Sequence, residues 1–455
     1  MTTTIAPNPP AATRRMRYRP DGGRDRRLDL MRGYALAAMS INHLGLQNSW
    51  FHQVSGRSSF LLSAAEAFLF ISGFTLGWIS LGRPAGAAMD RLWKRTWVLY
   101  LATVGVSLGF AIVSLQTTWL LWAGFDADET AGPVDLLAQI ATLKVAIGGV
   151  DILVAYILYL LGAIAAIRLM EQGKSWVVAS TVGLLYIASQ LAEPGAFGLG
   201  FASFRILVPN APLFYGGLLL GYHRDTINAA WRRFPLHRAT DVAVMIAAVV
   251  VGTLHASGWP ALAGLGEFLT ANEPDAPLWV RESEMPIGPL LGVMLFMRAG
   301  WLLFDRLYEP MQRGLGWLIR PLGEAALFTF VAHLIAIPIF LNLPGFPLEE
   351  ETTAWISSMW VAAYLGSILA AVHVRRHVLT WLRSGDPTRA WFRRHGPAVV
   401  VAALSVSLFV AGANPTGQSG PWGEGENEFF DEEEFEDEEE FEDEDAAGQP
   451  AGAEP

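Results

Sequence analysis

Long apolar runs, separated by short segments in which arginine clusters recur, set the pattern of this chain. Runs of about 17–25 residues are long enough to cross a bilayer as helices. They fall at Leu30–Leu46, Phe60–Leu81, Trp97–Leu120, Asp151–Met170, Trp176–Leu191, Phe204–Tyr222, Val242–Leu254, Ile287–Leu307, Leu322–Leu343, Trp355–His373 and Pro397–Ala413. The expected fold class is therefore all-α: a polytopic membrane helix bundle with about 10–11 transmembrane helices. The run Val134–Leu143 is shorter and reads as an interfacial or re-entrant helix.

The polar segments between the runs alternate in charge. Arg83, Arg91, Lys94 and Arg95 follow the second run; later segments of the same parity carry Arg168 and Lys174, then Arg224, Arg232, Arg233 and Arg238, then Arg306, Arg313 and Arg320, then Arg375, Arg376, Arg383, Arg389, Arg393 and Arg394. The opposite segments hold Asp126, Asp128 and Glu129, or Glu267, Glu273 and Asp275, or Glu349 to Glu351. Excess Lys and Arg mark cytoplasmic loops. The alternation predicts a multi-pass protein of the inner or plasma membrane with its N-terminus in the cytoplasm. Residues 1–27, with seven arginines from Arg14 to Arg27, read as a basic cytoplasmic arm; a twin-arginine export signal is the alternative, but no convincing A-x-A cleavage site follows. The transmembrane body is expected over 28–378, a basic loop and possible final span over 379–413, and a disordered acidic tail over 414–455.

Composition sharpens this picture in three ways. The chain is 52% hydrophobic and only 16% charged, against about 25% charged in soluble domains. The net charge of -11 belongs to the tail: Glu424 to Asp445 holds sixteen acidic residues and no basic one, and removing those sixteen charges from -11 leaves +5. Charge that dense repels itself and builds no core. The absence of cysteine excludes disulfides, thiol catalysis and iron–sulfur clusters. Histidine must then supply any group titrating near neutrality.

Ionisable residues inside apolar runs are expensive and mark sites or pathways. In MRGYALAAMSINH, Arg32 and His43 lie eleven residues apart. At about 100° per residue they share one helical face, about 16 Å apart along the axis. His43 is the candidate general base. Glu66 stands in the second run with Ser63, Phe70, Gly73 and Gly77 on one face; it is either a structural anchor or a catalytic carboxylate, and the glycines either permit close packing or leave room for a ligand. Arg91, Lys94 and Arg95 form a candidate phosphate clamp, or simply obey the charge rule. Asp151 and Arg205 open the fourth and sixth runs on the outer face, and Asn42 precedes His43. His333 sits near the middle of the ninth run, with Thr329 one turn away as a ready partner and Glu324 at the helix start. Asn42, Asp151, Arg205 and His333 are the acceptor-side candidates. No metal-ligand pair at helical spacing falls within a span, no phosphate-binding glycine loop or serine elbow appears, and nothing supports a nucleic-acid partner.

These blocks carry a resemblance. RDRRLDLMRGYALAAMSINH and SAAEAFLFISGF resemble the first two helices of the OpgC proteins, membrane acyltransferases that succinylate periplasmic glucans. VDILVAYILYLLGAIA, PLFYGGLLLGY, EMPIGPLLGVMLF and RPLGEAALFTFVAHL resemble later blocks, so the likeness runs over most of Arg24 to His377. OpgC in turn resembles the wider acyltransferase 3 superfamily, whose first helix has an arginine and a histidine with ten residues between them, matched by Arg32 and His43. The resemblance implies acyl-CoA as a cytoplasmic co-substrate with no permanently bound cofactor, and a glycan acceptor across the bilayer. It implies His43 as catalytic base and Arg32, Arg91 and Arg95 on the donor side. The family usually has an aspartate just before the histidine where this chain has Asn42, which leaves Glu66 as the candidate to tune His43. A rival reading is a transporter of a small anion or lipid-linked sugar, which broken helices near the midplane would favour.

Overall fold

The computed structural model describes residues 25–55, 64–81, 85–117, 132–191, 204–256, 287–347 and 352–382, with 119, 391, 395, 396 and 399–407. Among them the fold is helical throughout, an all-α bundle without strands. The elements are α1 Arg26–His43, α2 Trp50–Ser55, α3 Ala64–Ser80, α4 Ala85–Gln116, α5 Pro133–Ala141, α6 Asp151–Glu171, α7 Ser175–Leu191, α8 Phe204–Tyr222, α9 Arg224–Arg233, α10 His237–Ala256, α11 Ile287–Arg306, α12 Tyr308–Gly314, α13 Gly316–Glu324, α14 Ala326–Leu341 and α15 Ala354–Leu382. Nine of the expected spans each overlap one of these helices, and the run Leu322–Leu343 overlaps two. The eleventh is described only at 399–407, which is helical. The N-terminal arm before Asp25 and the acidic tail lie outside the described residues.

By length and composition, three described helices can each cross a membrane: Met89–Gln116 of α4, α6 and α15. Five can if each of two bent pairs counts as one span. The first bent pair is α9 with α10, which turn by 108°. The second corrects an expectation. The ninth run is not one helix: α13 and α14 meet at Ala325 with a turn of 102°. Pro321 and Gly323 sit just before that break. A proline removes an intrahelical donor and glycine weakens a helix interior, so the chain turns there.

The bundle is organised around α1. Fourteen of its eighteen residues are buried, from Arg27 to Ile41 with Tyr34 excepted. A helix enclosed on nearly every side is a central one. It starts at Asp25, whose carboxylate accepts the Arg27 N–H at 2.9 Å. The lower part of α1 presses on α13. A side chain at Gly33 would overlap the Ile319 carbonyl, and one at Gly323 would overlap the Asp29 carbonyl. The same device joins α3 to α8. Gly73 and Gly77 meet the backbone at Phe214 and Leu218, while Gly217 and Gly221 meet Phe70 and Phe74. Small residues four apart on both helices let the backbones touch. Gly73 and Gly77 therefore serve packing, not a ligand space. By contrast, α7 buries only Val178 and Ser189 and exposes Trp176, Leu184, Ile187 and Leu191, the pattern of a helix at the lipid-facing rim.

Candidate active site

One helix positions the two ionisable residues that the sequence singles out. α1 is unbroken between Arg32 and His43, so eleven residues put them about 16 Å apart along its axis.

At the first end the Arg32 guanidinium is buried. It donates from Nη2 to the Thr75 hydroxyl at 2.8 Å and lies 3.8 Å from the Asp29 carboxylate one turn earlier. Thr75 passes its own proton to the Ile71 carbonyl at 2.7 Å. Asp29 is only 2% exposed. A buried carboxylate demands a partner, and Arg32 supplies it. One turn nearer the N-terminus, Arg27 bonds Asp25 and Asp305 and lies 4.1 Å over the Trp301 ring.

At the second end α1 stops at His43, and Gly45 turns the chain with φ of 76°. The short α2 folds back, and Ser55 donates to the Asn42 side-chain carbonyl at 2.6 Å. Asn42 thus ties this turn to α2. His43 is half-buried. Its Nδ1 lies 3.2 Å from Nε2 of His333, with ring centroids 5.3 Å apart and planes tilted by 36°.

His333 is fully buried on α14. Tyr364 of α15, also fully buried, donates its hydroxyl to the His333 carbonyl at 3.0 Å. The Phe330 ring stands edge-on at 5.0 Å. Thr329 does not satisfy the imidazole with its hydroxyl, as its spacing suggested. That hydroxyl donates to the Leu322 carbonyl at 2.9 Å, across the break between α13 and α14. Nor does Glu324 open a helix: it closes α13 and pairs with Arg320 at 3.1 Å and with Arg376 of α15. The break is thus held from both sides by polar contacts.

Glu66 lies half-buried in the first turn of α3. Two residues on, Phe68 packs edge-on against Tyr156 of α6 at 6.1 Å. Arg95 of α4 reaches the same ring: it donates to the Tyr156 hydroxyl, and its guanidinium lies 5.3 Å from the ring centroid. Arg91 and Lys94 are exposed, and so is Asp151 at the start of α6. Arg205 falls in the first turn of α8, and its side chain lies outside the described residues. The structure therefore brings His43 together with His333, and keeps the exposed Arg91, Lys94 and Arg95 within five residues of α4, with Arg95 on Tyr156. Asp29, Thr75 and Tyr156 escaped the sequence reading. For Tyr156 a signal existed, since a tyrosine inside an apolar run needs a partner for its hydroxyl. Among the described residues no group of three His, Asp or Glu side chains is placed to hold a metal ion.

What these observations define is an all-helical bundle with membrane-crossing helices, built around one helix that buries an arginine and pairs an imidazole with a second one. Residues 24–378 match the family described as OpgC protein, and the chain belongs to that family. Membership points to a transferase. No curated protein and no solved structure matches the chain.

Proposed function

We propose that this protein is an integral-membrane O-acyltransferase. It moves an acyl group, succinyl or acetyl, from cytoplasmic acyl-CoA to a hydroxyl of an extracytoplasmic glycan. The observation that supports this most is the state of His43: half-buried, at the end of a buried helix, with its ring backed by a fully buried imidazole. A base must be reachable by its substrate and held in orientation, and this arrangement offers both. His43 takes the proton of the acceptor hydroxyl. Arg32, Arg91, Lys94 and Arg95 serve the donor side. Glu66 supports the charge formed at His43, and Asn42, Asp151 and Arg205 line the acceptor side. The protein lies in the inner or plasma membrane with its N-terminus in the cytoplasm, so the chemistry joins two compartments without carrying either substrate across.

The 102° break at Ala325, on the way into the helix that carries His333, favours a second reading, transport of a small anion or lipid-linked sugar, because broken helices are a hallmark of transporter sites. One assay separates the two. Purified protein in nanodiscs is given succinyl-CoA or acetyl-CoA and a glucan, and the products are read by mass spectrometry. Free CoA and an ester-bearing glucan are expected. Folded protein that releases no CoA with either donor would leave transport as the better account.

A further inference from the structure

The contact between His43 and His333 carries one inference further, and it rests on the reading of His43 as a base. Two neutral imidazoles at hydrogen-bond distance share one proton, so one nitrogen donates and the other accepts. The reading of His43 as a base decides which. Its Nδ1 faces His333, so Nε2 is the nitrogen left for the acceptor hydroxyl and must carry the lone pair. His333 is the more confined ring, fully buried and clamped by Tyr364 and Phe330, and its Nδ1 has no hydrogen-bond partner among the described residues. His333 then carries its proton on Nδ1 and offers a bare Nε2. His43 must donate from Nδ1, which leaves its own Nε2 unprotonated.

We propose that His333 is a positioning residue that fixes His43 in the tautomer with a proton on Nδ1 and a lone pair on Nε2. In the transfer step the acceptor oxygen attacks the thioester carbonyl while its proton passes to Nε2 of His43. The new C–O bond forms, the C–S bond breaks, and the departing thiolate of CoA takes the proton back from Nε2. His333 keeps its proton throughout and accepts the Nδ1–H bond of the transient His43 imidazolium. This role is filled elsewhere by a carboxylate; here a neutral ring fills it, and being fully buried it acts only through His43.

The test uses the full-length protein in nanodiscs with 15N-labelled histidine. Ring-nitrogen shifts, assigned through His43→Ala and His333→Gln, report the tautomer of His43 without any need for turnover. The expected state is protonated at Nδ1. His333→Leu removes the acceptor and should mix the two tautomers of His43. With succinyl-CoA and glucan as probes it should lower kcat by about 10²–10⁴-fold and leave KM for succinyl-CoA nearly unchanged, since a wrong tautomer in a serine-protease triad costs about 10⁴-fold. His333→Gln places an amide oxygen where Nε2 stood and should restore kcat to within about tenfold of wild type. Wild-type His43 protonated at Nε2 overturns the proposal. So does wild-type kcat in His333→Leu when His43→Ala is inactive, an outcome that leaves the base in place. Activity in His43→Ala removes the base itself. If His333→Leu does not fold, the wild-type spectrum decides.

Discussion

The two ends of α1 both present an ionisable side chain, and they hold it in opposite ways. Arg32 is closed in: Asp29 and Thr75 take its guanidinium, and Gly33, one residue on, lies against the Ile319 backbone. His43 is half open, at a helix end that turns away, with one nitrogen held and the ring edge within reach of solvent or substrate. A buried ion pair restrains the packing around it, because losing either partner strands a charge. A half-buried imidazole has little to do with stability and is suited to handling protons. Equal chemistry at the level of sequence thus divides into holding at one end and reaction at the other.

The largest effect should come from the reactive end. His43→Ala is expected to lower acyl transfer by at least about 10²-fold, toward 10⁴-fold, while thermal unfolding in detergent stays near wild type. Next comes Arg32→Ala. It takes the guanidinium away from the buried Asp29, so a loss of up to about 3–5 kcal/mol is expected, read as a lowered unfolding temperature. An Arg32→Ala protein as stable as wild type but inactive would leave Arg32 its donor-side role alone and erase the contrast between the ends. Gly323→Ala tests the contact that closes the first end. Its Cβ overlaps the Asp29 carbonyl, and a strain of about 1–3 kcal/mol should appear as lower stability. A change of similar size is expected for Thr75→Val, which removes one bond to a charged group and should cost about 1.5–3 kcal/mol at most. Acyl transfer at saturating donor should stay near wild type in the fraction that remains folded.

The helical scaffold was legible in the sequence because hydropathy is a local signal. The places of most apolar helices follow from it, though not their ends, and the shared face of Arg32 and His43 follows from periodicity. The pairing of His43 with His333 was not legible, since the two lie 290 residues apart and only tertiary packing brings them together. The same holds for Thr75 at Arg32 and Tyr156 at Arg95. The break at Ala325 was half legible: Pro321 and Gly323 were in view, but the apolar run continues through them and masks the turn. Glu66 illustrates the converse. A carboxylate in an apolar run stands out at once, whereas nothing in the sequence sets the second imidazole, which looked like an acceptor-side residue, against His43.

The composition of α1 has a consequence for how the protein is made. It is the most enclosed helix, yet Arg26, Arg27, Asp29 and Arg32 all fall within its first seven residues, and it is not among the helices apolar enough to cross a membrane by themselves. Each such charge costs about 2.5–3.5 kcal/mol when it enters the centre of a bilayer alone. Some partners that offset this cost are made early, Asp25, Asp29 and Thr75 among them; others come late. Asp305, which bonds Arg27, and Gly323, which seats against Asp29, are made almost 300 residues after the helix they hold. This helix therefore completes its contacts only after α11 and α13 have been made.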